Sequence, residues 1–372
     1  MRTVEVMDQI GIRPGEASLD VRDAAAFEAL VGALRRGALG REREVAWEPL
    51  EEGDLERWPE DGSRRQRLFA DLGEEAVERG AVASLVVAGG AGTRFGTAVK
   101  GLVPVLGGRT FLELKLDDAL RAGATAGRPV PVAIMTSAAT HGPIVEAIGG
   151  APDVLVFQQR MLPRLTPALQ PFRDAHGALS LAPAGHGDFF RALRESGVGD
   201  ELANHGVRVL LFSNVDNLAA TLDPVVLGAH LALGQAMTVE VTSRRSPAGA
   251  LDAGAAPVRV NGQVRLVEQV DPTRHRLIST NTIWFDLLAL LGRELPLPWR
   301  VVEKRVGGAP VIQLEQVTGE VTSLLGVDRL PLVPSAYLEV PREDPVRSRF
   351  EPVKRREDLE RVAARLRRRL SH

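Results

Sequence analysis

A short apolar run followed at once by a glycine-rich turn constrains the fold of this chain more than any other feature. Residues 83–88 (Ala-Ser-Leu-Val-Val-Ala) form the run, and residues 89–96 (Gly-Gly-Ala-Gly-Thr-Arg-Phe-Gly) form the turn. A short, continuously apolar run is typical of a strand buried on both faces of a sheet. Glycines permit positive φ and leave backbone N–H groups accessible, so the sequence predicts an anion-binding loop after a buried strand.

Strands and helices alternate along the chain after that turn. Helical patterns lie between further apolar runs, which predict strands at 130–136, 153–158, 207–213 and 237–243. Thr110 and Glu113 have the spacing of a capping box and predict the start of a helix. The alternation indicates an α/β fold with a Rossmann-like, mixed and mostly parallel sheet. Asn261-Gly262 suits a type I′ turn, so we expect an antiparallel hairpin near 257–270.

The two ends of the chain differ in pattern from its middle. Residues 1–80 predict a helical N-terminal cap, and residues 81–300 predict the α/β domain that carries the chemistry. Prolines cluster after residue 295, so residues 301–372 predict a smaller, loop-rich C-terminal region that closes with a helix.

Composition excludes several classes of protein. The formal net charge is -2, which excludes a generally basic binder of nucleic acid or of membrane surfaces. No apolar run approaches the roughly 18 residues needed to span a bilayer, and the first 30 residues are too acidic for a signal peptide. Cysteine is absent, so there is no disulfide and no thiol nucleophile. We expect a cytoplasmic protein with neither nucleic acid nor membrane as a partner.

The glycine loop matches neither of two common phosphate-binding patterns. The dinucleotide pattern G-x-G-x-x-G fits at Gly90 and Gly92 but fails at Phe95, and no G-x-x-x-x-G-K-S/T run exists. Arg94 and Lys100 nevertheless place positive charge in and after the loop. Lysine is scarce in this arginine-rich chain, and the only other lysines are Lys115, Lys304 and Lys354.

A series of short motifs extends the pattern over about residues 85–354. In chain order they include Val87-Ala-Gly-Gly-Ala-Gly-Thr93, Lys100-Gly-Leu-Val103, Phe157-Gln-Gln159, Gly185-His-Gly-Asp188, Phe212-Ser-Asn-Val-Asp-Asn217, Leu266-Val-Glu268, Asn281-Thr-Ile-Trp284 and Arg347-Ser-Arg-Phe-Glu-Pro-Val-Lys354. Together these strings resemble the UDP-glucose pyrophosphorylases of eukaryotic type, which are related to the UDP-N-acetylhexosamine pyrophosphorylases.

The resemblance implies a nucleotide-diphospho-sugar transferase fold and a reversible reaction. UTP and glucose 1-phosphate would give UDP-glucose and pyrophosphate, with Mg²⁺ assisting an in-line displacement at the α-phosphate. The alternatives are another sugar 1-phosphate (N-acetylglucosamine or galactose) and a catalytically silent UDP-sugar-binding protein.

The resemblance also assigns roles to individual residues. The catalytic cations would be Arg94, Lys100 and Lys354, and Asp216 would bind the metal. The sugar would contact Asn214, Glu268 and Asn281. The nucleotide would contact Gly89, Gly90, Gly92, Thr93, Gln159, Gly185 and His186.

The chain departs from the family pattern at three places. Thr93-Arg94 is closer to the loop of the N-acetylhexosamine enzymes, and 331–345 looks like an insertion before Arg347. Only 18 residues follow Lys354, so we expect no C-terminal β-helix and either a monomer or a small homo-oligomer. The role of Lys304 stays open, and Lys115 looks structural or surface-exposed.

Overall fold

The computed structural model describes residues 21–39, 46–90, 92, 95–96 and 99–370. The chain forms two compact units, each built from separated segments. The large unit contains the described residues within 46–158, 190–296 and 319–372, and the small unit contains those within 1–45, 159–189 and 297–318. The sequence analysis divides the chain into three consecutive regions with boundaries at residues 80 and 300. That division groups the segments differently and stays a prediction. No helix in the described ranges is long and apolar enough to cross a membrane.

The large unit is built on an eight-stranded mixed sheet. Its strands are β1 (Glu56–Arg57), β2 (Val82–Val87), β5 (Val132–Thr136), β6 (Val154–Gln158), β9 (Val209–Asn214), β10 (Met237–Ser243), β13 (Leu277–Asp286) and β16 (Ser335–Glu339). The strand order is β1-β16-β10-β13-β9-β2-β5-β6, and every neighbouring pair is parallel except the two that β13 makes with β10 and β9.

Helices and two small antiparallel ribbons complete the large unit. The ribbons are β3 (Pro104–Leu106) with β4 (Arg109–Thr110), and β11 (Ala256–Val260) with β12 (Gln263–Val267). The helices are α2 (Arg64–Glu78), α3 (Phe111–Ala126), α4 (Ala138–Ile148), α5 (Phe189–Glu195), α6 (Val198–Asn204), α7 (Pro224–Leu233), α8 (Leu287–Leu291) and α9 (Asp358–Leu370). One apolar core joins the sheet to α2, α3, α7 and α9.

The small unit combines one helix with two hairpins. Its elements are α1 (Val21–Arg35), β7 (Met161–Pro163) paired with β8 (Leu181–Pro183), and β14 (Arg300–Val306) paired with β15 (Ala309–Glu315). Leu165 and Ile312 exchange two backbone hydrogen bonds of 2.9 and 2.8 Å, which joins the two hairpins. Phe27 and Val31 of α1 pack with Leu162 and Leu314 in a separate apolar core.

The predicted fold class is confirmed, and several local predictions agree with the structure. The strands predicted at 83–88 and 237–243 correspond to β2 and β10. Thr110 accepts a hydrogen bond from the Glu113 N–H while the Glu113 carboxylate accepts one from the Thr110 N–H, so the capping box is present at the start of α3. Asn261 and Gly262 both have positive φ between β11 and β12, as a type I′ turn requires.

Three features of the structure were not predicted from the sequence. The main sheet contains an antiparallel strand, β13, while the predicted hairpin is present as a separate two-stranded ribbon. Residues 335–339, within the segment interpreted as an insertion, form β16 and pair with β10. The region after residue 300, expected to be rich in loops, contains the regular hairpin β14–β15.

Candidate functional site

The glycine loop begins directly at the carboxyl end of β2. This strand is central and buried because Val82, Leu85 and Val86 pack on both faces of the sheet. Gly89 is buried and Gly90 is exposed, and a Cβ added to Gly90 would meet no atom within 4 Å. Gly92 is buried. The predicted nucleotide contact Thr93 and the predicted catalytic cation Arg94 lie outside the described residues.

Lys100 and Asp216 meet beside this loop. Lys100 begins a short 3-10 turn (Lys100–Leu102), and Asp216 lies two residues beyond the end of β9. The Lys100 Nζ donates a hydrogen bond to the Asp216 carboxylate, and both side chains keep roughly a fifth of their surface exposed. Two residues that are 116 positions apart in the sequence are therefore in contact. Their pairing places an ammonium group next to a carboxylate that could bind a metal ion.

Asn214 and Asn281 form a second polar pair at this edge of the sheet. The Asn281 Nδ2 donates to the Asn214 Oδ1 at 3.1 Å. Asn281 lies where the pairing of β10 with β13 shifts register between Val239 and Val241, and its φ is +55°. A bulge of this kind redirects a side chain out of the regular alternation, so an asparagine in the middle of a strand reaches the end of β9.

Glu268 follows β12 and has an unusual acidity. Burial, reinforced by the nearby carboxylate of Glu320, raises the pKa of Glu268 to about 7. The charge of Arg244 opposes this increase. At neutral pH Glu268 is therefore divided between its neutral and its charged form, so it can donate as well as accept a hydrogen bond.

Lys354 follows a segment of extended chain before α9. Its side chain is 44% exposed, and its Nζ lies 3.7 Å from the Asp252 Oδ1. Asp252 also accepts from the Arg342 guanidinium, and its backbone carbonyl accepts from the Arg244 Nη1 at 2.6 Å. Sequence reasoning did not select Asp252, because a carboxylate in a Gly/Ala-rich loop carries no distinguishing pattern.

Lys115 occupies a buried position under the loop that carries Asp216. Its side chain is 4% exposed, and its Nζ donates to the Ser213 Oγ at 3.0 Å and to the Ala220 carbonyl at 2.7 Å. The ammonium thereby connects the two ends of residues 213–220. Burial lowers the pKa of Lys115 to about 8. Of the two readings left open for Lys115, the structural one holds and surface exposure does not.

In the small unit, the side-chain amide of Gln159 has an acceptor oxygen that makes no hydrogen bond to the described residues. Gln159 is 6% exposed, and its Oε1 is buried without a hydrogen-bond partner in the described part of the chain. A buried polar atom without a partner costs free energy, so a ligand that supplies an N–H donor would be favoured there.

Gly185 and His186 belong to one tight turn of the small unit. Gly185 has φ +95°, and a Cβ added there would lie 2.4 Å from the Gln316 carbonyl oxygen. The His186 Nδ1 accepts from the Thr318 N–H at 3.2 Å. Burial lowers the pKa of His186 to about 4. The ring is therefore neutral at pH 7. The Thr318 hydroxyl also lies 2.8 Å from Nδ1. With Nδ1 as the acceptor from the Thr318 N–H, the ring proton is assigned to Nε2, which is then the hydrogen-bond donor.

Lys304 is paired with Glu315 in the same unit. Its Nζ lies 2.6 Å from the Glu315 Oε1 on the β14–β15 hairpin, and its side chain is 44% exposed. This ion pair does not indicate a catalytic or ligand-binding role for Lys304.

The structure thus brings together, in the large unit, Lys100 with Asp216 and Asn214 with Asn281. In the small unit it places Gly185 beside His186. The described residues contain no group of three or more His, Cys, Asp or Glu side chains arranged to hold a metal ion, so any ion would depend on few protein ligands.

Comparisons with known proteins identify relatives of this chain. The family model described as UTP–glucose-1-phosphate uridylyltransferase matches residues 41–368. The enzyme of that name from Solanum tuberosum is 32% identical over 296 residues, which are 73% of this chain and 58% of the relative. The chain therefore spans less than two thirds of that relative's length.

Two solved structures share the fold. UDP-glucose phosphorylase from Trypanosoma brucei superposes with a TM-score of 0.73 at 23% identity, over 98% of this chain and 79% of that one. The uridine diphosphate N-acetylglucosamine pyrophosphorylase from the same organism also has a TM-score of 0.73, at 19% identity, over 97% of this chain and 78% of that one. At these identities the likeness concerns the fold alone.

Proposed function

This chain belongs to the UTP–glucose-1-phosphate uridylyltransferase family, and we propose that it catalyses the reaction named by that family. In this reaction the phosphate of glucose 1-phosphate attacks the α-phosphate of UTP, the bond to the β-phosphate breaks, and UDP-glucose and pyrophosphate form. The observation that carries the proposal is the pairing of Lys100 with Asp216 at the carboxyl edge of β2 and β9. Ligands bind at this edge of open α/β sheets.

Transfer of a nucleotidyl group demands mainly positioning and neutralisation of charge. Lys100 would contact the UTP phosphates, and Lys354 would contact the phosphate that attacks. Both ammonium groups are partly exposed, so both can reach a ligand without opening the core. Arg94 would add a further cation to the glycine loop.

We propose Mg²⁺ as the metal of this site. Asp216 suits it because the carboxylate is a hard oxygen ligand and is partly exposed. Mg²⁺ commonly takes one or two protein carboxylates and completes its shell with water and substrate phosphates. When bound, it would neutralise charge on the phosphate oxygens.

The nucleotide and the sugar would be recognised by amides and backbone groups. The unpartnered Oε1 of Gln159 suits the N–H of the uracil ring, and the neutral His186 would donate from Nε2 to a phosphate. Thr93, Gly89, Gly90, Gly92 and Gly185 would provide backbone contacts. The Asn214–Asn281 pair and Glu268 offer both donors and acceptors for sugar hydroxyl groups.

The decisive experiment is a panel of sugar 1-phosphates. The purified protein is incubated with UTP, Mg²⁺ and the 1-phosphate of glucose, galactose or N-acetylglucosamine, and the UDP-sugar is detected by mass. We expect the highest kcat/KM for glucose 1-phosphate. Absence of turnover with every member, combined with tight binding of UDP-glucose, would instead establish the silent UDP-sugar-binding protein.

Two further properties are proposed with the activity. The small substrates require no macromolecular partner, and we expect a monomer or a small homo-oligomer in the cytoplasm. Light scattering coupled to size exclusion gives the oligomeric state, and fractionation of the source cells gives the compartment.

A further inference from the structure

The loop that carries Asp216 is joined directly to the segment that leads into Lys354. Asn217 and Pro352 form an isolated antiparallel bridge, and the Val353 N–H donates to the Asp216 carbonyl oxygen at 3.3 Å. The two stretches are more than 130 positions apart in the sequence. The backbone of the predicted metal ligand therefore contacts the residue that immediately precedes the predicted catalytic lysine.

The side chain of Asn217 holds this pairing together. It is 1% exposed. Its Oδ1 accepts from the Glu351 N–H at 3.0 Å, and its Nδ2 donates to the Arg349 carbonyl at 3.1 Å and to the Thr282 Oγ1 at 3.3 Å. These backbone partners fix the orientation of the amide, because an N–H only donates and a carbonyl only accepts.

No other side chain of this size can replace that amide. An aspartate keeps the acceptor for Glu351 but turns a second acceptor toward the Arg349 carbonyl. It also places a charge in a buried position. An alanine leaves the Glu351 N–H and the Arg349 carbonyl without their partner.

The side chain of Arg349 also joins the Asp216 loop to the segment that leads into Lys354. The Arg349 guanidinium is buried, makes hydrogen bonds of 2.6 and 2.7 Å to Glu240, and donates to the Thr221 carbonyl at 3.0 Å. Glu240 in turn accepts from the Trp284 Nε1 at 2.9 Å. The segment before Lys354 is thus hydrogen-bonded to the Asp216 loop at two points, Asn217 and Thr221, and to Glu240 of the main sheet.

We propose that Asn217 is a positioning residue that sets the placement of Lys354 relative to Asp216. This inference rests on the proposed function, in which both groups act on the same phosphates. The Lys354 side chain is 44% exposed, and its ammonium has the Asp252 carboxylate as an ion-pair partner at 3.7 Å. The course of the backbone at residues 352–354 therefore sets which positions that ammonium can reach. A displacement of about 1 Å in such a group costs on the order of 100-fold in rate.

A double-mutant cycle tests whether Asn217 acts through Lys354. The four proteins are the wild type, Asn217→Asp, Lys354→Ala and the double variant, and kcat and KM for UTP are measured for each. We expect Asn217→Asp to lower kcat by about 100-fold with little change in KM for UTP. In the Lys354→Ala background we expect the same substitution to change kcat less than about 3-fold.

Control variants separate positioning from a general loss of structure. Thr238→Val removes the hydroxyl that pairs with buried His230 at 2.8 Å, near the start of β10. We expect its kcat to stay within about 3-fold of the wild type. Should Asn217→Asp not fold, Asn217→Ser is used in the same cycle, because it is small, uncharged and still polar.

The outcomes distinguish the inference from the function on which it rests. Equal losses from the Asn217 substitution with and without Lys354 would overturn the inference while leaving the proposed activity in place. A wild-type protein without turnover would refute the proposed activity itself.

Discussion

Replacing Lys115 with methionine gives the sharpest test of the buried polar interior of the large unit. Lys115 connects Ser213 to Ala220 through two hydrogen bonds, and methionine has similar length but no donor. The substitution leaves two buried acceptors without their donor, at about 1–3 kcal/mol each. It also removes the unfavourable burial of a charge, so the net change at pH 7 is a difference between two comparable terms.

The dependence on pH is therefore more informative than the value at one pH. Burial lowers the pKa of Lys115 from 10.5 to about 8, against smaller opposing contributions from Asp118, Asp216 and Glu240. Between these two values the unfolded chain holds a proton that the folded chain has lost, so the stability due to this group rises with pH. A difference of 2.5 pKa units, from the same two values, corresponds to about 3 kcal/mol.

The assay is urea denaturation of the wild type and Lys115→Met at pH 7, 8, 9 and 10. Groups common to both proteins cancel in the difference, so the wild type should gain about 2–3 kcal/mol relative to the variant between pH 7 and pH 10. Thr238→Val is the matched control, because its partner His230 has a pKa of about 4 and does not titrate there. A difference between wild type and Lys115→Met that stays constant with pH would show that Lys115 does not titrate as a buried amine.

Three further predictions concern single positions. Lys354→Arg should lower kcat at least about 100-fold while the melting temperature stays within a few degrees, because a planar guanidinium cannot place a compact charge at the same point; near-normal turnover would remove Lys354 from the reaction. Gly185→Ala should cost at least about 1–3 kcal/mol in urea denaturation because of its positive φ and the Gln316 carbonyl, whereas Gly90→Ala has open space and should leave the midpoint unchanged. The pKa of Glu268 rises from 4.5 in the unfolded chain to about 7 in the folded chain, so the free energy of unfolding of the wild type falls as the pH rises between these values. Between pH 5 and pH 8 the free energy of unfolding of Glu268→Gln should therefore gain about 2 kcal/mol relative to the wild type. The same pH dependence in both proteins would contradict this prediction.

The parts of the fold that the sequence predicts are those in which local pattern and tertiary environment agree. The run at β2 is apolar because both of its faces are buried, and the capping box at α3 depends on two residues three positions apart. The motifs around Lys100 and Asp216 were likewise selected from the sequence, and the structure places the two side chains in contact.

The parts of the fold that were not predicted are those in which the local sequence pattern and the tertiary environment favour different structures. The middle of β13 contains Ser279, Thr280, Asn281 and Thr282, a polar run typical of a loop. Thr280 nevertheless donates to the Glu240 carbonyl at 3.0 Å inside the sheet. Residues 335–339 lie among prolines, but β10 supplies a partner strand, and the pairing outweighs the local signal.

The buried pair of Arg349 and Glu240 shows why a site of this kind is held by polar contacts. Desolvation of the two charges offsets much of their attraction, and apolar residues of equal volume often stabilise a fold as well or better. Stability alone therefore does not explain the pair. Apolar side chains can fill a space in several ways, whereas a guanidinium that meets one carboxylate and the Thr221 carbonyl accepts a single arrangement. We infer that the pair contributes geometry: it fixes the Arg349 carbonyl that Asn217 binds, and with it the course of the chain into Lys354.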